Sequence, residues 1–188
     1  MAKTTRPLAV GVVIVALILA ADPVDATDAQ GMVNEEMPVA SMSPRVRTDD
    51  PALATLIRAA TDRSPTFRHL AEAIQATNGV VYVQRGRCGH AVRACLPFSV
   101  AVAGPNRVLR VLVEDLEPEA EIIGSIAHEL RHALEVLEQP SITTGRAMYF
   151  FYKSHGSWRG SRFETTAAIV AGNAVRQDLR KRRPGQVK

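Results

Sequence analysis

The chain has 188 residues, of which 46% are hydrophobic and 22% are charged, with a formal net charge of +4 and a pI near 9.4. This length and composition are ordinary for a globular protein with one hydrophobic core, and we expect one folded domain. Only 5% of the residues are aromatic and no nucleic-acid recognition motif is present, which argues against nucleic acid as a partner. The mild basic excess leaves an anionic envelope surface as a candidate partner.

The N-terminus has the pattern of an export signal. Lys3 and Arg6 precede an uncharged apolar run of about 14 residues, 8–21, and small residues suited to a processing protease follow. An uncleaved membrane anchor is the alternative, but a helix needs about 20 apolar residues to cross a bilayer. We therefore predict a signal peptide at residues 1–26, cleaved after Ala21 or Ala26, and no transmembrane span once it is removed. The mature protein is then extracytoplasmic, either periplasmic or secreted.

Export changes the expected state of the two cysteines. An oxidising compartment favours a disulfide, and Cys88 and Cys95 flank six residues between two strand-like segments. A second metal site formed by both cysteines and His90 is the alternative, but it supplies three ligands where a structural zinc site needs four. The sequence therefore predicts a Cys88–Cys95 disulfide.

Residues 27–50 show no apolar period, and we interpret them as a flexible leader before a folded domain at 51–183 and a disordered tail at 184–188. The domain begins with two predicted helices. The first covers Pro51–Ala60 with Asp50 as its N-cap, and the second covers Ser64–Ala76.

The residue pattern then changes from a period of 3.6 to a period of 2. Three β-rich runs follow, and they predict a small antiparallel three-stranded meander: Val80–Gln84, Pro97–Val102 and Arg107–Val113. A long helix is predicted from Glu117-Pro118 to about Glu138, and a last helix from about Ser161 to Lys181. The predicted fold class is α+β, with the meander packed against these two helices.

The long predicted helix carries the sequence His128-Glu129-Leu130-Arg131-His132. Histidines four residues apart lie on one face of a helix, so both imidazoles can reach one tetrahedral ion, with the intervening glutamate beside them as a general base. A solvated pair on an exposed helix face is the alternative. The apolar residues of the helix form a stripe on the side away from both histidines: Ile122, Ile123, Ile126, Ala127, Leu130, Ala133, Leu134 and Leu137.

Glu164 is the candidate third ligand. It projects from the alanine-rich apolar face of the last predicted helix, where an unpaired carboxylate would cost several kcal/mol and a zinc ion would offset that cost. Two alternatives remain open. Ser161 to Glu164 fits a capping box, and His155 could serve as the third ligand instead.

Aromatic residues between the two helices are candidates for a second role. His155 lies in a polar segment, 153–160, that we interpret as a glycine-bounded loop over the site. Tyr149, Tyr152 and His155 are therefore candidates for contacting the substrate or stabilising an oxyanion, although structural or surface roles are the alternative.

The strand meander, the HExxH pattern and Glu164-Thr165-Thr166-Ala167 on a later helix together resemble zincin metallopeptidases of the glutamate-ligand branch, the gluzincins. The resemblance covers about residues 80–175. It implies a zincin-like fold in which His128, His132 and Glu164 hold one Zn²⁺ per chain while Glu129 acts on the bound water. It also implies that an edge strand beside the site, one of the last two predicted strands, pairs with an extended peptide.

Two positions differ from the pattern of that family. Arg131 places a charge where the family usually has an uncharged residue. Ala167 stands in the segment where an acidic residue commonly orients a ligand histidine. Such second partners of metal ligands affect metal sites nearly as strongly as the ligands do.

The sequence therefore predicts an exported zinc metallopeptidase acting on a peptide or protein substrate. Zinc lowers the pKa of a bound water toward about 7, and Glu129 accepts the proton of that water and passes it to the leaving amine. Two alternatives stay open. One is a non-catalytic exported binding or structural protein on the same scaffold, and the other is a zinc amidase acting on a non-peptide or cell-wall amide.

Overall fold

The computed structural model describes residues 44–89, 92–114, 118–159 and 162–181. The predicted signal peptide, the predicted leader up to residue 43 and the predicted tail lie outside the described residues, as do His90 and Ser161. Within the described ranges, no helix is both long enough and apolar enough to cross a membrane.

The described residues form five helices and a mixed sheet, which confirms the predicted α+β class. The helices are α1 (Pro51–Arg63), α2 (Pro65–Gln75), α3 (Glu119–Leu137), α4 (Gly145–His155) and α5 (Thr166–Arg180). The strands of the sheet are β1 (Val46–Arg47), β2 (Gly79–Arg85), β3 (Ala94–Cys95), β4 (Ala101–Ala103) and β5 (Asn106–Val113). A separate hairpin joins β6 (Ser157–Arg159) to β7 (Arg162–Glu164).

The sheet is built around β5, and the predicted antiparallel meander is wrong. Strand β2 runs parallel to β5 along its length, from the Gly79–Arg107 pair to the Arg85–Val113 pair. The opposite edge of β5 pairs antiparallel with β4 near its start and with β3 at its end. Strand β2 is buried on both faces over most of its length, which is typical of an interior parallel strand rather than of a hairpin arm.

The second predicted strand is mostly not a strand. Of the run Pro97–Val102, only the last two residues belong to β4, which turns back onto β5 through Gly104 at a φ of 57°. Pro97 has no N–H to donate to a ladder, so the run cannot pair from its start. The short β3 lies before this run, at the end of the cysteine loop.

Part of the predicted leader belongs to the folded domain. Strand β1 lies within the predicted leader and pairs in parallel with β2. Arg45 fixes it, because its backbone N–H donates to Gln75 Oε1 at 2.9 Å and its guanidinium donates to Asn106 Oδ1 at 2.9 Å. The predicted N-cap of α1 is confirmed, since the Asp50 carboxylate accepts the backbone N–H groups of Ala52 and Leu53.

Helix α3 lies between the sheet and α5. All eight residues of its predicted apolar stripe are buried, which confirms the helical period read from the sequence. Its C-terminal carbonyls are held by Arg107 of β5, which is only 3% exposed. The Arg107 guanidinium donates to four backbone carbonyls, those of Val136, Leu137, Gln139 and Ile142, and this contact joins the helix end to the central strand.

The region after α3 differs from the prediction. Helix α4 was not predicted, and the segment interpreted as a loop from residue 153 is the last turn of α4 followed by β6. The last helix begins at Thr166 rather than Ser161, because the Thr165 hydroxyl accepts the Ala168 N–H and caps it. Glu164 therefore ends β7, and the capping-box alternative for Glu164 is wrong.

Candidate metal centre

Three side chains from two parts of the chain converge at the side of α3 that faces α5. His128 Nε2 lies 3.0 Å from Glu164 Oε2, and His132 Nε2 lies 4.0 Å from the same oxygen. One ligand atom from each of the three residues lies within 4.8 Å of the other two. The group joins His128, His132 and Glu164, the ligands that the sequence predicts, and it can hold a metal ion.

Local geometry explains why these residues meet. The spacing of four residues places both histidines on one face of α3, and the β6–β7 hairpin delivers Glu164 to that face. Helix α5 approaches closely at Gly172, where a Cβ atom would lie 2.9 Å from the Gly124 carbonyl and 3.2 Å from His128 Cβ. The close approach of the two helices therefore depends on Gly124 and Gly172, whereas Ala167 of α5 is exposed.

The donor set matches zinc. Two imidazole nitrogens and one carboxylate oxygen form a three-ligand set found in catalytic zinc sites, which keep a fourth position open. Bonds of about 2.0–2.1 Å at tetrahedral angles separate ligand atoms by about 3.3 Å. The separations of 3.0 and 4.0 Å to Glu164 are within about one ångström of that value, and all three ligand atoms lie within 4.8 Å of one another.

Glu129 lies beside the histidines and is half-buried. Burial raises the pKa of its carboxyl group, and the negative charge of Glu164 adds to this effect. The two histidines and a hydrogen bond from the Leu96 backbone N–H act in the opposite direction but do not cancel it. A carboxylate with a raised pKa is a stronger base than an exposed glutamate, which is the property required of a residue that accepts a proton near neutral pH.

His128 also has a perturbed pKa. Burial acts to lower the pKa of His128, but its hydrogen bond to Glu164 and the charge of Glu129 outweigh burial and raise it. Arg176 of α5 opposes this increase through its positive charge. That guanidinium is held by Glu121 of α3 at 2.9 Å, so a cation lies at the edge of the site next to Ser125.

The site opens into a cleft of about 350 Å³. One wall is the segment from Val92 to Leu96, which includes β3, and the other walls come from α3, α4 and α5. The predicted Cys88–Cys95 disulfide is confirmed, with the two Cα atoms 5.7 Å apart, and it ties this first wall to the end of β2. Apolar side chains form about half of the cleft lining, namely Val92, Ala94, Leu96, Phe98, Met148 and Phe163.

The three aromatic candidates lie in different places. Tyr152 is buried in the cleft wall, and its hydroxyl donates to the His132 carbonyl at 2.7 Å. Burial, with the charge of Glu135, raises the pKa of Tyr152 far above its usual value, so the hydroxyl stays protonated. Tyr149 packs edge-on against Phe98, and His155 is exposed at the end of α4 with its ring stacked on Phe151. Neither residue lines the cleft.

Glu135 also contacts a candidate ligand, and this role was not predicted from the sequence. Its Oε2 lies 3.1 Å from His132 Nδ1, and its Oε1 accepts a hydrogen bond of 2.8 Å from Thr165. Burial opposes ionisation, but these two hydrogen bonds outweigh it and lower the pKa of Glu135. The signal was present in the sequence, because residues three apart on a helix are neighbours.

Neither a protein-family model, nor a curated protein, nor a solved structure matches this chain.

Proposed function

We propose that this chain is an exported zinc-dependent hydrolase with a zincin-like active site that cleaves peptide bonds. The observation that carries the proposal is the convergence of His128, His132 and Glu164 on one point at the wall of a cleft, with Glu129 beside them. These residues come from α3 and from β7, and they match the donor chemistry of zinc.

Each residue has a defined part in the proposed reaction. A zinc ion held by the three ligands supplies Lewis-acid activation of water and of the substrate carbonyl. Glu129 takes a proton from the attacking water and returns it to the leaving amine. The Leu96 N–H holds the Glu129 carboxylate at the cleft wall, so the base is oriented before substrate arrives.

The substrate we propose is an extended peptide. Residues 94–96, which include β3, border the cleft. Strand β4 pairs with the same edge of β5 as β3 does, and all three residues of β4 are exposed. An exposed strand edge offers unpaired N–H and C=O groups to an incoming chain. The Cys88–Cys95 disulfide supports an extracytoplasmic location, since such bonds persist in oxidising compartments.

The experiment measures bound zinc and peptide hydrolysis together on the purified full chain. Wild-type protein and Glu129→Gln should each bind one zinc ion per chain, but the variant should lose activity by about 10²–10⁴-fold because the proton acceptor is gone. Glu138→Gln is the matched control, because Glu138 is the C-cap of the same helix, is exposed and does not line the cleft. It should keep both zinc and activity.

The other outcomes separate the alternatives. Zinc binding without cleavage of any peptide in a broad library, or of cell-wall amides, would favour a non-catalytic binding protein. Cleavage of cell-wall amides alone would favour an amidase that uses the same residues. Full activity in Glu129→Gln would contradict the role of Glu129.

A further inference from the structure

Glu135 occupies a buried position between the second histidine and the start of α5. It lies three residues after His132 on α3, and the residue is only 8% exposed. Its two carboxylate oxygens have different partners: Oε2 faces His132 Nδ1 at 3.1 Å, and Oε1 accepts the Thr165 hydroxyl at 2.8 Å. A buried carboxylate is costly unless hydrogen bonds satisfy it, so this position is defined by those two contacts.

We infer that Glu135 is a positioning residue of the metal centre, which fixes the orientation of His132 and the placement of Glu164 through one carboxylate. This inference rests on the proposed metal site. Glu135 itself touches neither substrate nor metal in this arrangement, and it acts through the two side chains that it holds.

The first effect of Glu135 is on the tautomer of His132. A carboxylate oxygen facing Nδ1 favours a proton on that nitrogen, which leaves the lone pair on Nε2. Nε2 is the atom that faces Glu164, at 4.0 Å from its Oε2. The ring is held from its backbone side as well, because the Tyr152 hydroxyl donates to the His132 carbonyl at 2.7 Å. Glu135 thus presents the lone pair of His132 to the ligand cluster.

The second effect of Glu135 is on the placement of Glu164. Thr165 directly follows this ligand, caps α5 by accepting the Ala168 N–H, and donates its own hydrogen to Glu135. The hydroxyl has a single hydrogen, so its direction is set by Glu135. The bond between Thr165 and Glu135 therefore ties the residue next to the third ligand to the helix that carries the first two.

A simple ion-pair role for Glu135 fits the distances less well. Arg131 approaches Glu135 Oε1 only to 3.6 Å and approaches Glu138 Oε1 at the same distance, so this arginine is shared by two carboxylates. The contacts to His132 and Thr165 are both shorter. Glu138 has the arginine but neither of those contacts, which makes it a matched control.

The test measures zinc affinity of the full chain by competition with a chromophoric chelator, and the absorption spectrum of the Co²⁺-loaded chain as a report on coordination geometry. Glu135→Gln should weaken zinc binding about 10–100-fold, the range seen when such outer partners of metal ligands are removed, and should alter the Co²⁺ spectrum. Glu138→Gln should stay within about 2-fold of wild type. Urea unfolding of each chain with chelator present separates loss of metal affinity from loss of folding.

A second pair of variants keeps the inference testable if Glu135→Gln does not fold. Thr165→Ser keeps the hydroxyl and should bind zinc as wild type does, whereas Thr165→Val removes it and should bind zinc more weakly. Equal zinc affinity in Glu135→Gln and wild type, or in Thr165→Val and Thr165→Ser, would overturn the inference and leave the proposed function standing. Absence of zinc binding by wild-type protein would contradict both.

Discussion

Replacing Arg107 with methionine should destabilise the protein severely, although this residue lies outside the candidate site. Arg107 is 3% exposed, and its guanidinium donates to four carbonyls at 2.6–3.2 Å at the C-terminal end of α3. Three of the four bonds, those to Val136, Leu137 and Ile142, are buried. Methionine fills part of the volume but donates no hydrogen bond, so the Leu137 and Ile142 carbonyls lose the guanidinium, whereas the Val136 carbonyl keeps a hydrogen bond from the Gln139 N–H.

The expected magnitude follows from the two bonds to Leu137 and Ile142. A buried acceptor left without a partner costs about 1–3 kcal/mol, so two carbonyls at about 2 kcal/mol each give about 4 kcal/mol. With a urea dependence of about 2 kcal/mol per molar, the unfolding midpoint should fall by about 2 M. A loss of that size is a large part of the 5–15 kcal/mol that stabilises a typical domain.

The assay is urea unfolding of the metal-free chain followed by circular dichroism, with Arg110→Met as the matched control. Arg110 lies three residues later on β5 and is exposed, so its replacement should change the unfolding free energy by less than about 0.5 kcal/mol. If Arg107→Met is within about 1 kcal/mol of Arg110→Met, the assignment of Arg107 as the anchor of α3 is refuted.

Three further predictions concern the disulfide, an acid-sensitive contact and the helix crossing. Replacing Cys88 and Cys95 together with serine should lower the unfolding free energy by about 2.5 kcal/mol in urea titrations, because the disulfide closes a loop of about eight residues; an unchanged midpoint would contradict this. Hydrogen bonds to Thr66 and Ser64 outweigh burial and lower the pKa of Asp178 below 3.8, so its contribution is complete above that value and is lost as the pH falls through the folded pKa. Asp178→Asn should therefore be less stable than wild type at pH 7 and nearly equal to it at the lowest pH, and a constant difference would exclude the contact. Gly172→Val should weaken zinc binding, since its Cβ would press on the Gly124 carbonyl and on His128, while Asn173→Ala should not.

Two of the three candidate ligands, His128 and His132, could be predicted from the sequence because their information is local. The spacing of His128 and His132 sets their common face, and the apolar stripe of α3 sets which side of the helix packs on the sheet. Glu164 was identified by its charge in an apolar setting, although it lies in a strand rather than in the helix assigned to it. That error had little effect, because β7 leads directly into α5 and keeps Glu164 at the same end.

The sheet topology could not be read in the same way. Neighbouring segments of a chain usually pair, and that tendency favours a meander for three successive β-rich runs. The parallel pairing of β2 with β5 joins residues far apart in the sequence, such as Val81 with Leu109. No local pattern encodes such a contact, so β2 and β5 were predicted as strands but their pairing was not.

Helix α4 and the contacts of Glu135 were not predicted because their signals in the sequence are weak. The α4 sequence is rich in aromatic residues, and only Met148 and Tyr152, four residues apart, are buried, so its apolar period is weak. Glu135 lies among apolar residues of α3, where the sequence offers Arg131 at i−4 and His132 at i−3 as its local partners. Its second partner, Thr165, is 30 residues away and becomes visible only when α5 packs on α3.

The central claim is that His128, His132 and Glu164 hold one zinc ion. A crystal of the full chain grown with zinc, with diffraction recorded on both sides of the zinc absorption edge, tests it most directly. The account predicts one anomalous peak per chain, about 2.0–2.2 Å from a nitrogen of each histidine and an oxygen of Glu164. A peak ligated by His155 instead of Glu164, or no peak at the two histidines, would contradict it.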